Sequence, residues 1–338
     1  MNTIFKDRLL SDPWLLAEIG VNHDGQFNRA VEMIESSANA GFDGVKFQYW
    51  IEDELLAKDV PMAPYQGSGD QRDLLRPLAL SIGELEKLQG VAKSFNLDFV
   101  VTPSGERACH EIASIGVSAI KIGSGDADNP WLIGQALDTG LPLIVATGMM
   151  TDDELRDLSK QVSSCSDIVL LHCVTSYPAE LETIDLRRMT RIKEISQIPV
   201  GYSDHSIGIA APSAAIALGA CMVEKHVTWS VEALGPDHRA SLSLDNACSW
   251  VNDLKLLAKG IYDPVDSDGE KLNKPLVRKG LYLTRDMSIN ETIGKDDIIP
   301  LRPVLDGIGA GKRDFVVGKK VSDNLSSGHL LKLKDLLN

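Results

Sequence analysis

Two histidines with surroundings suited to a catalytic metal ion are the most informative feature of the sequence. His205 follows the apolar run 199–202, and His226 ends the apolar run 221–226. A neutral imidazole at the end of each of two neighbouring strands can bind one divalent cation and leave positions open for water and substrate. A single histidine beside an apolar run is more often a core residue. The hypothesis therefore depends on the shared placement of the two histidines.

Lysines and hydroxyl side chains occur at the ends of other apolar runs. A lone lysine at such a place is more often a solvated charge, but a phosphate needs several donors that converge on one point. Lys46 and Lys121, with nearby hydroxyls and the backbone of Gly123-Ser124-Gly125, could together bind a phosphorylated carboxylate. The polar residues at these ends are Glu18, Lys46, Gln48, Thr102, Lys121, Ser124, Thr147, His172, Thr175, Tyr177, Ser203, His205, Glu224 and His226.

Apolar strand-like runs alternate with helical segments eight times. The runs are 14–19, 44–48, 98–102, 119–122, 142–147, 168–173, 199–202 and 221–226. Their continuous hydrophobicity indicates strands covered on both faces, as in a parallel sheet wrapped by helices. Eight repeats predict a (β/α)8 TIM barrel, in which the polar strand ends would share one face. The alternative, an open doubly wound sheet, is weakened because no dinucleotide fingerprint follows the first strand.

The composition excludes several classes of protein. The 338 residues are 43% hydrophobic and 24% charged, which is typical of a globular chain. A formal net charge of −14 argues against nucleic-acid and membrane partners. Five cysteines without CxxC spacing fit a reducing compartment, and no signal peptide or membrane span is predicted. We therefore expect a cytoplasmic protein.

The C-terminal part of the chain has a different pattern. From about residue 270 the sequence changes to short strands and turns, and the preceding segment is rich in Asp, Gly and Ser. We predict a barrel domain over residues 1–262, a linker over 263–274 and a small, mostly β domain over 275–338.

Six segments in order resemble the sialic acid (N-acetylneuraminate) synthase family. The resemblance covers nearly the whole chain, and the tail from Lys274 resembles the family's C-terminal antifreeze-like (SAF) domain. The segments are Ala17-Glu18-Ile19-Gly20-Val21-Asn22-His23-Asp24-Gly25, Val45-Lys46-Phe47-Gln48, Lys121-Ile122-Gly123-Ser124-Gly125, Gly201-Tyr202-Ser203-Asp204-His205-Ser206, Glu224-Lys225-His226 and Gly235-Pro236-Asp237-His238-Arg239-Ala240-Ser241-Leu242.

The resemblance implies a condensation of phosphoenolpyruvate with an N-acetylated aldose. The aldose would be of the N-acetylmannosamine or 2,4-diacetamido-6-deoxy-mannose type, and the products a sialic or legionaminic (nonulosonic) acid and phosphate, formed by C–O cleavage. It further implies a domain-swapped homodimer in which the tail reaches over the partner's active site and Arg302 acts in trans.

Residue roles follow from the same resemblance. A divalent ion, Mn²⁺ with Mg²⁺ or Co²⁺ as alternatives, would bind His205 and His226. Catalytic roles fall to Glu18, Lys46, Lys121 and Asp237. Substrate contacts fall to Gln48, Thr102, Ser124, Asp126, Thr175, Tyr177, Ser203 and Arg302.

Several positions depart from the family pattern near the implied sugar pocket. They are Arg72-Asp73, Ser104, Asp126, Thr175 and the turn 302–308. These departures leave the acceptor sugar open. Two alternatives also stay open: a catalytically silent, sugar-binding or scaffolding relative, and a related barrel synthase that uses a different aldose, such as a phosphorylated pentose or tetrose.

Overall fold

A closed barrel of eight parallel strands forms the first part of the protein. The computed structural model describes residues 4–5, 10–57 and 70–337. Each strand pairs with the next along the chain, and β1 also pairs with β8, which closes the barrel. The strands are β1 (Trp14–Gly20), β2 (Gly44–Tyr49), β3 (Asp98–Pro103), β4 (Ala119–Ile122), β5 (Leu143–Ala146), β6 (Ile168–Cys173), β7 (Val200–Asp204) and β8 (Met222–Thr228). The prediction of a (β/α)8 barrel is confirmed.

Helices alternate with these strands, and local signals set where several of them begin and end. Capping boxes start two helices, where Ser81 and Thr151 each exchange hydrogen bonds with a glutamate three residues on. Gly41, with a left-handed φ of 90°, ends the first helix of the chain, Phe27–Ala40. The helices are α1 (Phe27–Ala40), α2 (Glu52–Leu55), α3 (Gln71–Leu75), α4 (Ile82–Ser94), α5 (Glu106–Ser114), α6 (Pro130–Asp138), α7 (Asp152–Gln161), α8 (Arg187–Ser196), α9 (Ala210–Ala217) and α10 (Leu244–Tyr262); a two-residue strand, β9 (Leu242–Ser243), pairs with β8.

The barrel has two apolar layers because successive strand side chains point to opposite faces. Leu15 belongs to the layer between the strands and the helices, and Leu16 to the layer inside the barrel. Each fully buried side chain of this size contributes roughly 1.5–3 kcal/mol. Gly201 makes room for Met222 in the interior, since a Cβ on Gly201 would lie 2.5 Å from the Met222 Cγ atom. The interior is therefore filled.

The residues from Val265 onward form a second compact unit, and the first unit spans Met1–Pro264. The second unit has its own apolar core, which includes Leu281, Ile298 and Leu331. Its elements are α11 (Asp268–Val277), β10 (Gly280–Leu283), β11 (Ile298–Leu301), α12 (Arg313–Val316), β12 (Lys320–Val321) and β13 (Leu336–Leu337). Residues 268–274, which their composition assigns to a linker, are helical because Ser267 caps the helix by accepting a hydrogen bond from the Glu270 N–H.

None of the helices among the described residues combines the length and apolar character needed to cross a membrane.

Candidate active site

A polar cleft opens at the carboxyl ends of the barrel strands. Its volume is about 170 Å³. Most of the residues that the sequence singles out lie around it: Glu18, Lys46, Gln48, Thr102, Lys121, Ser124, Thr175, Tyr177, Ser203, His205 and His226. A larger cavity of about 560 Å³ opens at the opposite end of the barrel, beside Leu137 and Pro142. Asp167 lines that cavity but accepts hydrogen bonds from the Ile4 and Phe5 N–H groups, so the smaller cleft is the one equipped for chemistry.

Lys46 and Glu18 form a buried ion pair at the ends of β2 and β1. The Lys46 Nζ atom lies 2.7 Å from the Glu18 Oε2 atom and donates to the Thr102 hydroxyl at 3.2 Å. The Gln48 amide donates to the Glu18 Oε1 atom at 3.1 Å. Burial alone would lower the pKa of Lys46, but the carboxylates of Glu18 and Glu224 outweigh it and raise the pKa. Lys46 is therefore a fixed positive charge in the cleft.

Lys121 and Glu224 form a second buried ion pair. The Lys121 Nζ atom lies 2.9 and 2.8 Å from the two carboxylate oxygens of Glu224. The Ser203 hydroxyl donates to the same carboxylate at 2.7 Å. Burial would raise the pKa of Glu224, but Lys121 and Lys46 hold it well below its usual range.

Glu224 received no role in the sequence analysis, although it had been noted at a strand end. A signal for its role was present: it lies two residues before His226 on β8, so strand alternation directs both side chains to the barrel interior.

Both candidate metal ligands present neutral imidazoles at the cleft. The His205 Nδ1–H donates to the Val174 carbonyl at 2.7 Å, so the lone pair of the neutral ring is on the Nε2 atom, whose neighbour at 3.5 Å is the Ser203 hydroxyl. The His226 Nδ1 atom is buried without a hydrogen-bond partner among the described residues. The ring centroids lie 5.6 Å apart, and the Tyr177 ring packs on His205 at 4.1 Å. Burial lowers the pKa of His205 to about 4 and that of His226 well below its ordinary value.

This donor set fits a divalent cation held by two protein ligands. Across residues 4–5, 10–57 and 70–337, no three His, Cys, Asp or Glu side chains form a ready metal-binding group. The protein would then supply the two imidazoles, whose neutral form binds metals, and water and substrate would supply the rest. The observation that supports this fit is the buried Nδ1 atom of His226, which has no hydrogen-bond partner in the part of the chain that the structure describes.

Asp237 lies beside the cleft without lining it. Its Oδ2 atom is 3.7 Å from the His226 Nδ1 atom. Burial, together with the nearby Glu18 carboxylate, raises the pKa of Asp237 to about 7. A carboxyl group with this pKa can accept or release a proton near neutral pH.

Asp126 and Arg302 are the other predicted site residues outside the cleft lining. Asp126 lies in the turn after β4, where it accepts a hydrogen bond from the Asn129 amide at 3.4 Å, and burial raises its pKa. Arg302 belongs to the second unit, where it is exposed directly after β11. A role of either residue in substrate binding stays a prediction.

Ser104 and Arg72, two of the residues that depart from the family pattern, form hydrogen bonds with residues that follow β2. The Ser104 hydroxyl accepts a hydrogen bond from the Ile51 N–H at 3.0 Å. The Arg72 guanidinium donates to the Glu52 carboxylate at 3.0 Å and to the Ala57 carbonyl at 3.0 Å. Arg72, which belongs to α3, therefore connects this helix to Glu52 and Ala57, residues that follow β2. Residues 58–69 lie outside the described residues.

The fold and the cleft together define a (β/α)8 enzyme whose cleft holds two buried lysines and two neutral histidines, groups that could bind an anionic substrate and a divalent metal. The chain belongs to the NeuB family, whose model matches residues 33–263. This is the family of the sialic acid synthases, which use divalent metals.

Curated relatives and solved structures agree with this assignment. The chain is 36% identical over 333 residues to the N,N'-diacetyllegionaminic acid synthase of Legionella pneumophila subsp. pneumophila, covering 94% of this chain and 93% of that protein. It is 31% identical to the protein of the same name from Campylobacter jejuni, covering 94% and 98%. The crystal structure of the N-acetylneuraminic acid synthetase from Leptospira borgpetersenii is similar with a TM-score of 0.71 at 27% identity, covering 80% of this chain and 95% of that one.

Proposed function

We propose that this protein is a nonulosonic acid synthase that condenses phosphoenolpyruvate with an N-acetylated aldose and releases phosphate. The observation that carries the proposal is the single cleft in which Lys46 and Lys121 lie beside His205 and His226. Its relatives include an N,N'-diacetyllegionaminic acid synthase, an N-acetylneuraminate-9-phosphate synthase and a pseudaminic acid synthase. A catalytically silent relative would not need to keep two buried lysines in a cleft, because burying charges is costly.

The side chains of the cleft account for binding of phosphoenolpyruvate. Lys46 and Lys121 neutralise the phosphate and carboxylate, and the hydroxyls of Thr102 and Ser124 donate hydrogen bonds to their oxygens. The Ser203 hydroxyl, which donates to Glu224 in the structure, would turn its single O–H to the substrate. Both lysines are already in ion pairs with Glu18 and Glu224. These carboxylates keep the two ammonium groups in position, and the substrate anion binds to the same ammonium groups.

The reaction then forms one carbon–carbon bond and adds one water molecule, and a base must accept a proton from that water. C3 of phosphoenolpyruvate attacks the aldehyde carbon of the sugar, and the aldehyde oxygen takes up a proton to become a hydroxyl. Water adds to C2 and gives one proton to a base; the hydroxyl left on C2 then loses its proton and becomes the ketone as phosphate leaves with its bridging oxygen. A divalent metal on His205 and His226 would supply Lewis-acid polarisation of the aldehyde. Glu18 or Asp237 accepts the proton of the attacking water, for which Asp237 is suited by its pKa of about 7.

We assign the acceptor to the 2,4-diacetamido-6-deoxy sugar class, with N-acetylmannosamine as the alternative. The support is the name shared by two relatives above 30% identity, both N,N'-diacetyllegionaminic acid synthases. For the metal we propose Mn²⁺, with Mg²⁺ or Co²⁺ as alternatives, because two imidazoles leave most coordination positions to oxygen ligands.

The second unit is proposed to be an antifreeze-like domain that completes the active site of a partner subunit in a domain-swapped homodimer. The support is the resemblance of the sequence from Lys274 onward. On the same basis we propose a barrel domain over residues 1–262 and a small domain over 275–338.

The test is a phosphate-release assay with phosphoenolpyruvate, Mn²⁺ and a panel of N-acetylated hexoses, followed by mass spectrometry of the product. Phosphoenolpyruvate labelled with ¹⁸O at the bridging position should give labelled phosphate, which shows C–O cleavage. The Lys121→Met variant, which should release phosphate much more slowly at low phosphoenolpyruvate concentration, serves as the control. Folded protein that releases no phosphate with any sugar of the panel would contradict the proposal.

A further inference from the structure

Two sequence segments near the cleft have no role in the proposed chemistry. One is Asn22-His23-Asp24, which follows β1, and the other is the stretch from His238 to Ser241, which follows Asp237. The two lie more than 200 residues apart in sequence, yet hydrogen bonds join them. These bonds surround Asp237.

The His238 ring bridges the turn after β1 and the end of β8. Its Nε2 atom lies 3.0 Å from the Asp24 Oδ1 atom, and its Nδ1 atom lies 2.7 Å from the Thr228 hydroxyl. The ring is fully buried. Gly235 packs against it so closely that a Cβ at that position would lie 2.6 Å from the ring. Space and hydrogen bonds therefore hold the His238 ring in one orientation.

Asp24 is itself held from its other side. Its Oδ2 atom is in an ion pair with Arg29 and accepts a hydrogen bond from the Trp229 indole N–H at 3.3 Å. The Arg29 guanidinium lies 4.3 Å from the centre of the Trp229 ring. Asp24 is thus a rigid acceptor for His238.

Asn22 anchors the main chain of Asp237. The Asn22 amide donates to the Val227 carbonyl and to the Ser241 hydroxyl, both at 2.9 Å. The Ser241 hydroxyl in turn donates to the Asp237 carbonyl at 2.7 Å. The Asp237 carbonyl and the His238 side chain are therefore both held by hydrogen bonds to the turn after β1, the first through Ser241 and Asn22 and the second through Asp24.

We propose that Asn22, Asp24, His238 and Ser241 are positioning residues that hold the Asp237 carboxylate beside the cleft. The inference rests on the proposed function, in which Asp237 is a candidate to accept the proton of the attacking water. None of the four side chains lines the cleft itself. Their effect on the reaction passes through Asp237, because a displacement of about 1 Å of a reacting group can cost on the order of 10²-fold in rate.

A double-mutant cycle tests this dependence. Asp24→Ala should lower kcat/KM for the sugar by about 10- to 100-fold and leave the KM for phosphoenolpyruvate within about twofold. In an Asp237→Asn background the same substitution should cause no further loss, since the two changes remove one function. Asp24→Asn keeps an oxygen for the His238 N–H and should recover most of the activity. Additive losses in the double variant would overturn the proposal.

Asp43→Ala is the matched control. Asp43 accepts a hydrogen bond from the Leu15 N–H at 2.8 Å and pairs with Lys255 at the opposite end of the barrel. The variant should lower the melting temperature without the kinetic effects. Equal kinetic losses in the Asp43 and Asp24 variants would show a merely structural role.

Crystal structures separate this inference from the proposed function. The Asp24→Ala variant should show the Asp237 carboxylate displaced from the His226 Nδ1 atom, while the ion pair of Lys46 with Glu18 keeps its geometry. An unmoved Asp237 would refute the positioning role even if the enzyme used none of the sugars tested.

Discussion

Two buried Lys–Glu pairs dominate the cleft at the scale of single residues. Lys46 and Lys121 are 4% and 3% exposed, and their partners Glu18 and Glu224 are 1% and 3% exposed. Such pairs add little stability, because desolvation of the charges offsets their attraction. Their value lies in keeping both lysines oriented at the point where an anionic substrate binds.

Replacing either lysine should therefore impair the use of phosphoenolpyruvate. We expect Lys46→Met or Lys121→Met to raise the KM for phosphoenolpyruvate or to lower kcat/KM by on the order of 10²-fold, as when one preorganised charge contact is lost. Steady-state kinetics with circular dichroism as the folding check would measure this. Lys160→Met, on the exposed face of α7, is the control and should leave the kinetics unchanged. Wild-type phosphoenolpyruvate kinetics in both cleft variants would refute the role.

Removing the metal should abolish turnover without unfolding the barrel. With only two imidazoles as protein ligands, the ion should exchange readily, so a chelator should stop the reaction reversibly. The His205→Ala, His226→Ala double variant should lose Mn²⁺ binding in isothermal titration calorimetry. His110→Ala changes an exposed histidine of α5 and should bind normally. Full activity of the double variant in chelator would refute the proposal that His205 and His226 bind a metal that the reaction requires.

At the scale of elements, strand alternation sorts the polar residues of β7 and β8. Ser203, Glu224 and His226 point into the cleft. Asp204 and Lys225 alternate with them and form an ion pair of 2.8 Å on the other side of the two strands. This pair ties the end of β7, which His205 follows directly, to β8, which carries His226.

Gly148, in the turn after β5, provides an element-scale test. Its N–H donates to the Ser124 hydroxyl at 3.2 Å. A Cβ there would lie 2.7–2.8 Å from the side chains of Ser124, Cys173 and Thr175. Gly148→Ala should displace Ser124 and lower kcat/KM for phosphoenolpyruvate by roughly 10-fold or more.

The control for this substitution is Gly134→Ala, in the interior of α6, where the added Cβ meets nothing within 4 Å. It should stabilise the protein by up to about 1 kcal/mol through helix propensity and leave the kinetics unchanged. Equal kinetics for the two alanine variants and the wild type would show that the close contact around Gly148 relaxes without consequence.

At the scale of the whole molecule, buried histidines should make stability depend on pH. Burial lowers the pKa of His23 and of His172 to about 4. Between this value and the unfolded pKa of about 6.5, the unfolded chain binds more protons, so these residues make the free energy of unfolding fall as the pH decreases from 7. The raised pKa of Asp237 acts in the opposite direction.

A comparison of variants isolates the histidine contribution. His172→Phe should reduce the slope of the unfolding free energy between pH 7 and 5 by up to about 1.4 kcal/mol per pH unit. Urea unfolding at pH 7, 6 and 5 would measure it. His110→Gln, at an exposed position, should keep the wild-type slope. An unchanged slope for His172→Phe would show that this histidine does not titrate as its burial requires.

The proposed homodimer makes a further prediction at this scale. If Arg302 acts in trans, mixing an Arg302→Ala protomer with a Lys121→Met protomer should restore activity, because one site of the mixed dimer would have both an intact barrel and an intact Arg302. A guanidinium can donate a forked pair of hydrogen bonds to the acceptor sugar. Native mass spectrometry must first confirm subunit exchange. A verified mixed dimer without recovered turnover would contradict the role in trans.

Local patterns in the sequence were sufficient to predict the barrel and much of the cleft. The continuous apolar runs of β1 to β8 mark strands covered on both faces, and the polar residues that end them share one face once the barrel closes. Lys46, Lys121, His205 and His226 were predicted in this way. The short helices α2 and α3 and the N-terminal part of α11 were not predicted, because they are brief and carry little periodic signal.

The sequence by itself determined which residue types lie at the strand ends, because periodicity and turn residues act over a few positions. Only the tertiary structure decided which of them meet. Glu224 pairs with Lys121 across 103 positions of sequence, and His238 with Asp24 across 214. The first pair joins strands that are not neighbours in the sheet, since β4 pairs with β3 and β5. Such contacts depend on barrel closure and on packing of the interior. These bring distant side chains together, and no local sequence pattern predicts which of them will meet.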